Sequence, residues 1–351
     1  MQLTRLGINN LRSIAEASID LSPGINLFYG ENGSGKTSIL EACALLSRGR
    51  SFNATKNQEL IAFGSEQLTS TLSFTNHLQR QAGFSLSLQG ERSLRLDGNN
   101  QPSMQQLAKS LPLLFVTPRS FQLLEGSSKE RRGFVDWLAF HAEPEFAIVH
   151  ARLKRLLAQR NALLKDPQTD MGTWDKHFIE ACKQINTHRE NLLIRLRPLL
   201  QQNLEFWLEK KSIDFLSHPG WSSNSSLEEQ LCRNLERDRK NGFTLKGAHR
   251  YDLHFLFSGH EAAKVLSRGE KKRLVLALVF SQLQLAQQLG IEPVLLVDDL
   301  TAELDEKGCL RALELAQKQS DQLLVTCIGK GQLEQMAARV FHVKQGEVLE
   351  Q

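Results

Sequence analysis

With 351 residues, 41% of them hydrophobic and 23% charged, the chain has a globular composition and enough length for one large core or two moderate ones. Its longest unbroken apolar run, Leu274 to Phe280, falls far short of the ~20 residues that span a bilayer, and the first ten residues lack the apolar centre of a signal peptide. Five cysteines without a C-x-x-C pair exclude a disulfide frame and a zinc ribbon; a cytoplasmic protein with no membrane partner is expected.

The net charge of +4 is too small to mark a nucleic-acid binder, but its distribution is uneven. Residues 151–250 hold 18 Lys+Arg against 12 Asp+Glu, so a DNA-contacting surface is expected in that middle third. Solvated faces of long helices account equally well for the same surplus.

In chain order, residues 2–29 alternate short apolar and polar stretches, and Ile25-Asn26-Leu27-Phe28-Tyr29 reads as a buried strand ending at Gly30. A helix is predicted from Lys36, with Ile39, Leu40, Cys43 and Leu46 on one face. Strands follow over 68–74, 82–90 and 93–97, the last closed by Asp97-Gly98-Asn99-Asn100, and over 111–116, stopped at Thr117-Pro118. Helices are predicted over 128–141, 144–165 and 174–210. In the third, Phe178, Ile185, Leu192 and Leu199 recur every seven residues beside Cys182 and Leu196. The second and third helices, joined by an eight-residue break, form an antiparallel arm of ~30–50 Å, and Pro198 is expected to kink or interrupt it. Residues 218–226 read as a loop, 227–241 as a charged helix, and strand character returns from about Leu253. A long helix starts near Gly269, and 294–297 and 323–327 are buried strands. The α/β segments flank a helical insert, so one α/β lobe is expected from 1–117 and 251–351, around a helical lobe of 118–250.

Gly30-Glu31-Asn32-Gly33-Ser34-Gly35-Lys36-Thr37 matches G-x-x-x-x-G-K-[ST] between a predicted strand and a predicted helix. Its glycines let successive backbone N–H groups curl around the phosphates of ATP at a helix N-terminus. Lys36 would neutralise the β/γ oxygens, and the Thr37 hydroxyl would ligate Mg²⁺. Val294 to Asp299 supplies the other half: a buried strand delivers Asp298 to Mg²⁺, and Asp299 becomes the carboxylate that orients or deprotonates the attacking water. Before the 271–289 helix, in Leu266-Ser267-Arg268-Gly269-Glu270, Ser267 and the Gly269 N–H form a ready anion site, or Ser267 and Glu270 form a plain capping box. The pentad alone favours the capping box, and Thr301 to Asp305 after the acidic strand tips the balance to the anion site.

Taken in order, Gly30 to Thr37, Leu266 to Glu270, Asp298-Asp299 and Ala302-Glu303-Leu304-Asp305 resemble the Walker A, signature, Walker B and D-loop elements of ABC-type ATPases. Within these the chain resembles the RecF family, related to SMC heads. Asn10-Leu11-Arg12, Gly49-Arg50-Ser51-Phe52, residues 130–137, 155–161 and 247–253 extend the likeness over essentially the whole length. The resemblance implies an α/β P-loop ABC-type ATPase head, with an inserted helical lobe and short arm, that dimerises on ATP. Ser267 and Gly269 of one subunit would complete the γ-phosphate site around Lys36 of the other, giving two sites per two-fold dimer. It further implies phosphate contacts from Arg12 and Asn32, a D-loop contribution from Asp305, and Gln122 as candidate linking glutamine. The implied partners are DNA, single-stranded and at single/double-strand junctions, together with RecO and RecR, which help load RecA at gaps and stalled forks in the SOS response. An ABC transporter nucleotide-binding subunit is the alternative, against which the more than 100 largely helical residues between loop and signature weigh.

Three positions depart from the pattern. Asp299 stands for the usual glutamate, Thr326-Cys327 for the γ-phosphate-sensing histidine of transporters, and Ala248 for a proline expected after Gly247. The first two imply slow hydrolysis, with ATP timing a clamp.

Overall fold

The structure, a computed structural model, describes the whole chain except residues 101, 167, 169, 209–211, 301–303 and 305, and only the backbone at 173 and 306. Two compact units result, one from residues 1–120 and 286–351, the other from 121–285. The return to the first unit therefore lies well beyond the expected 250/251. Residues 252–257 pair with 213–218 in a sheet of the second unit. The helix Arg268–Gln288 also stacks Phe280 on Trp207 at 5.8 Å. These contacts tie residues 252–285 to the helical unit.

The first unit holds two sheets. Strands β1 (Gln2–Leu11), β2 (Ile14–Asp20), β4 (Gln67–Asn76), β5 (Leu78–Ser87) and β6 (Arg92–Leu96) form an antiparallel sheet in the order β2-β1-β4-β5-β6. β5 begins four residues before its expected start because a tight turn at His77 (φ 58°), between paired Asn76 and Leu78, joins it to β4 without a glycine. The second sheet brings together β3 (Gly24–Tyr29), β7 (Leu113–Val116), β11 (Val294–Val297), β12 (Gln322–Cys327), β13 (Ala337–Lys344) and β14 (Glu347–Glu350) in the order β14-β13-β3-β12-β11-β7. All its pairings are parallel except β13 with β14. The helix Lys36–Arg48 is buried almost all round, its polar residues Lys36, Ser38, Glu41 and Ser47 included. Ile39, Leu40, Cys43 and Leu46 share one core with Leu6, Ile8, Leu72 and Phe74 of the antiparallel sheet and Phe28, Leu296 and Leu324 of the parallel one. Each such fully buried leucine contributes roughly 1.5–3 kcal/mol.

The second unit consists of helices Ser128–Ala142, Phe146–Leu163, Gly172–Leu208, Leu227–Asn241 and Arg268–Gln288 with a small sheet, ordered β10 (His260–Glu261), β9 (Asp252–Phe257), β8 (Ile213–His218). The predicted hairpin is present, and its seven-residue stripe of Phe178, Ile185, Leu192 and Leu199 is buried, as are Cys182 and Leu196. The helix continues through Pro198, contrary to the expected interruption. Pro198 and Ile194 both lie on the exposed face, so the carbonyl that proline leaves without an N–H donor faces water. Near the hairpin tip, buried Arg160 donates from Nε to Asp175 Oδ1 (2.7 Å) and from one terminal nitrogen to Asp238 Oδ2 and Thr244 Oγ1 (both 2.8 Å), so the arm is packed against the helix Leu227–Asn241. Ala248, where proline was expected, uses its N–H: it donates to Cys182 Sγ at 3.3 Å, a bond proline cannot make.

Candidate nucleotide-binding site

β3 runs straight into the glycine-rich loop, and the loop's last turn opens the helix Lys36–Arg48. At Gly30 (φ 157°) a Cβ would lie 2.1 Å from the Val343 carbonyl oxygen, so only glycine lets the loop pass this close to β13. At Gly346 (φ 87°), whose N–H donates to the Ser34 carbonyl at 2.8 Å, a Cβ would lie 1.9 Å from the Ser13 carbonyl. The turns after β1 and β13 thus support the loop from beneath, while Glu31, Asn32 and Gly33 remain exposed. Lys36 is buried and donates to the Gly30 and Glu31 carbonyls, both at 2.7 Å. Burial lowers its pKa, opposed by the charges of Asp299 and Asp298.

Two parallel strands end together beside this loop. β11 delivers Asp298, which is 3% exposed, and the adjacent β12 delivers Thr326 and Cys327, both fully buried. The Thr37 hydroxyl donates to the Asp298 carboxylate (3.0 and 3.2 Å), and the Thr326 hydroxyl donates to Asp298 Oδ1 at 2.9 Å. Thr326 Oγ1 also accepts from the Asp299 N–H at 2.8 Å, holding Asp299 at φ 53°. Burial raises the Asp298 pKa; the two threonine hydroxyls oppose this and the Asp299 and Glu41 charges reinforce it. Asp299 Oδ1 is buried and has no hydrogen-bond partner among the described residues. Burial pushes the Cys327 thiol up to about 12, so it stays protonated.

The sequence thus led to Lys36, Thr37, Asp298 and Asp299, which the structure brings together. It named Thr326 only with Cys327, as a departure from the histidine pattern, and did not foresee its bond to Asp298. Glu41 was missed. This fully buried carboxylate accepts from Arg12 at 2.9 Å and from Ser51 Oγ at 2.5 Å, and the second Arg12 nitrogen lies 2.6 Å from its other oxygen. A lone acid between the apolar residues Ile39, Leu40, Cys43 and Leu46 was the available clue. Arg12 is therefore anchored on Glu41, with 39% of its side chain exposed.

In the second unit, the signature pentad forms a reciprocal capping box. The Ser267 N–H donates to Glu270 Oε2 (2.8 Å), and the Glu270 N–H donates to Ser267 Oγ (3.3 Å). Ser267 and Gly269 are exposed, and a Cβ on Gly269 would meet nothing within 4 Å. Gln122 is exposed in the short helix Gln122–Glu125. Asp305, with Ala302 and Glu303 of the D-loop, lies outside the described residues.

The residues fit a nucleoside triphosphate with a divalent cation. The loop fills a space that a side chain at Gly30 would block, and an unpartnered carboxylate oxygen on Asp299 sits beside the Asp298, Thr37 and Lys36 group.

Comparison with known proteins agrees. A family model described as the RecF/RecN/SMC N terminal domain matches residues 2–349. The DNA replication and repair protein RecF of Pseudomonas aeruginosa (strain LESB58) is 36% identical over 99% of this chain and 97% of its own. The same-named protein of Pseudomonas entomophila (strain L48) is 36% identical over 99% and 98%. Among solved structures, the recombination mediator protein RecF-ATP superposes with a TM-score of 0.89 at 24% identity, covering 100% of this chain and 97% of that one. An Smc head bound to the C-winged helix domain of ScpA gives 0.62 at 15%, covering 100% and 98%. These likenesses set the transporter-subunit alternative aside: by sequence the chain belongs to the RecF family, and its fold is that of a P-loop ABC-type ATPase head with an inserted helical lobe.

Proposed function

We propose that the protein is an ATP-dependent DNA-binding protein of replication and recombinational repair, in which ATP closes a homodimer on DNA. The observation that carries the nucleotide reading is the convergence of the Thr37 and Thr326 hydroxyls on buried Asp298, beside Lys36. The loop N–H groups from Glu31 to Thr37 hold the phosphates, aided by the helix N-terminus. Lys36 exchanges the Gly30 and Glu31 carbonyls for the β/γ oxygens. Mg²⁺, when bound, neutralises phosphate charge, with Thr37 and Asp298 as its protein ligands. Arg12, fixed by Glu41, and Asn32 offer their outer edges to the phosphates. Asp299 orients the attacking water through its unpartnered oxygen.

Turnover is slow in this account. Asp299 is one methylene shorter than glutamate, and the Cys327 thiol is a weak donor where a histidine would donate strongly. A rate well below ~10 per second, a typical enzyme median, is expected. Ser267 and Gly269, exposed beside half-exposed Val265, offer an N-terminal helix face to the ATP of a second subunit. Asp305 is assigned to the same interface as a D-loop residue, and Gln122 is the candidate linking glutamine, both by likeness to the ABC pattern. RecF is named a DNA replication and repair protein in its relatives, and the RecF-ATP structure is placed in a RecFOR pathway. By extension this chain binds single-stranded and gapped DNA in the cytoplasm and helps RecO and RecR load RecA at gaps and stalled forks during the SOS response.

Sizing and DNA binding with and without ATP test the reading. Lys36→Arg should weaken ATP binding itself. Ser267→Arg should leave the monomer's ATP binding intact and abolish both dimer and tight DNA binding; an ATP-dependent Ser267→Arg dimer would refute assembly through the signature.

A further inference from the structure

A groove of about 540 Å³ opens in the second unit between the turn that follows β8 and the loop at 243–250. Trp221 and Phe243 line it, Phe243 being 42% exposed, and His218, Lys246 and Arg250 add basic side chains. The Arg250 guanidinium lies 5.5 Å from the Phe243 ring centre. Among the described residues neither Lys246 nor Arg250 pairs with a carboxylate, unlike Arg131, Arg160 and Arg189 nearby in the same unit.

The backbone carrying these side chains is held firmly. The Gly247 N–H donates to the Gly220 carbonyl at 3.2 Å, and a Cβ on Gly220 (φ 97°) would lie 2.1 Å from the Gly247 carbonyl oxygen, so the two loops meet backbone to backbone. Asn186 donates to the Pro219 carbonyl at 2.8 Å, and the Gln230 side chain bonds both backbone groups of Ser222 at 2.9 and 2.8 Å. Both flanks of Trp221 are thereby fixed. After Phe243, the Thr244 N–H donates to Asn161 Oδ1 (2.9 Å) and the Leu245 N–H to Asp238 Oδ1 (3.0 Å). Half-buried Trp221 and exposed Phe243 on a fixed backbone, with cations free of carboxylate partners beside them, make a stacking platform for an unpaired base and its phosphate. The bases of a duplex, already stacked, cannot offer such a face. The volume suits one nucleotide, and the groove lies in the third of the chain that carries the Lys/Arg surplus.

We propose that this groove seats one nucleotide of single-stranded DNA, its base stacked on Trp221 and Phe243 and its phosphate against Lys246 and Arg250. The proposal rests on the DNA-binding reading above and gives it a location.

The test compares the full-length protein with Trp221→Ala, Trp221→Phe and Lys246→Gln/Arg250→Gln on three probes: short oligo-dT, an abasic oligonucleotide of equal length, and duplex DNA with ATP. Trp221→Ala should weaken oligo-dT binding about 5- to 100-fold, the range of one base–aromatic stack, while Trp221→Phe stays close to wild type. Binding of the abasic strand and of duplex should not change with Trp221→Ala, which also shows the variant to be folded. The double variant should flatten the salt dependence on oligo-dT by about 0.7 in log–log slope, the value for one phosphate no longer neutralised. The proposal falls if Trp221→Ala leaves oligo-dT binding unchanged, if it weakens the abasic strand equally, or if excess dTMP displaces the strand, which would make the occupant a free nucleotide. Each of these outcomes leaves duplex binding, and the proposed function, standing. Failure of the wild type to bind DNA of any form would remove both.

Discussion

Thr326→Val isolates the hydroxyl that joins Asp298 to Asp299. Valine matches threonine in shape, so the fully buried site is neither emptied nor crowded. What is lost is the donation to Asp298 Oδ1 at 2.9 Å and the acceptance from the Asp299 N–H at 2.8 Å. A hydrogen bond to a charged group is worth about 1.5–3 kcal/mol, and a buried N–H left unpaired costs about 1–3 kcal/mol. Partial access of water to Asp299 reduces the second, so a loss of about 3 kcal/mol is expected. With a urea m-value near ~3 kcal/mol per M, the midpoint of the transition of the first unit should fall by about 1 M. Thr326→Ser keeps the hydroxyl and should recover most of it. The Asp298 carboxyl, already raised by burial, would lose one of the two hydroxyls that oppose the rise, so ATP–Mg²⁺ binding should weaken and become more acid-sensitive. An unchanged midpoint in Thr326→Val, with Thr326→Ser behaving identically, would refute the view that this hydroxyl organises the site.

Arg160→Ala should cost about 3–5 kcal/mol, because it strands the fully buried Asp238 without its cation. Arg160→Lys should recover less than half, since one ammonium cannot reach Asp175, Asp238 and Thr244 together; thermal melting of the three proteins checks both. Acid should destabilise the second unit through His249. Its Nε2 donates to the Thr244 carbonyl at 3.0 Å, and burial lowers its pKa to about 4 from an ordinary value of 6.5. A depressed folded-state value means that the unfolded chain takes up the proton first. Stability should therefore hold above pH 6.5, fall by roughly 1.4 kcal/mol per pH unit towards pH 4, and level off below. His249→Gln should flatten that window in urea titrations, and an identical pH profile would contradict the assignment.

Local patterns carried much of this molecule. The seven-residue stripe from Phe178 to Leu199 foretold the face the long helix buries, and four apolar residues in a row foretold the strand that delivers Asp298. The loop from Gly30 to Thr37 was legible because its chemistry is local to eight residues. Harder to read were features set by partners far along the chain. Glu41 acquires its meaning from Arg12 and Ser51, and Thr326 from a carboxylate 28 residues earlier. The boundary expected at 250/251 failed for a similar reason: β9 looks like any strand until its partner β8 is known. The helix runs on through Pro198 because the rule against helix-interior proline is weakest on an exposed face, where water can satisfy the freed carbonyl.

Mixing two defective proteins tests the central claim, a site shared between subunits, most directly. Lys36→Ala removes the phosphate cation, and Ser267→Arg blocks the signature. Each alone should stay monomeric with ATP and show no ATP-dependent DNA binding. In a mixed dimer one site carries both defects and the other carries none, so the mixture should regain ATP-dependent association and about half the wild-type ATP hydrolysis per dimer. A mixture as inactive as its components, under conditions where wild type dimerises, would contradict the shared site.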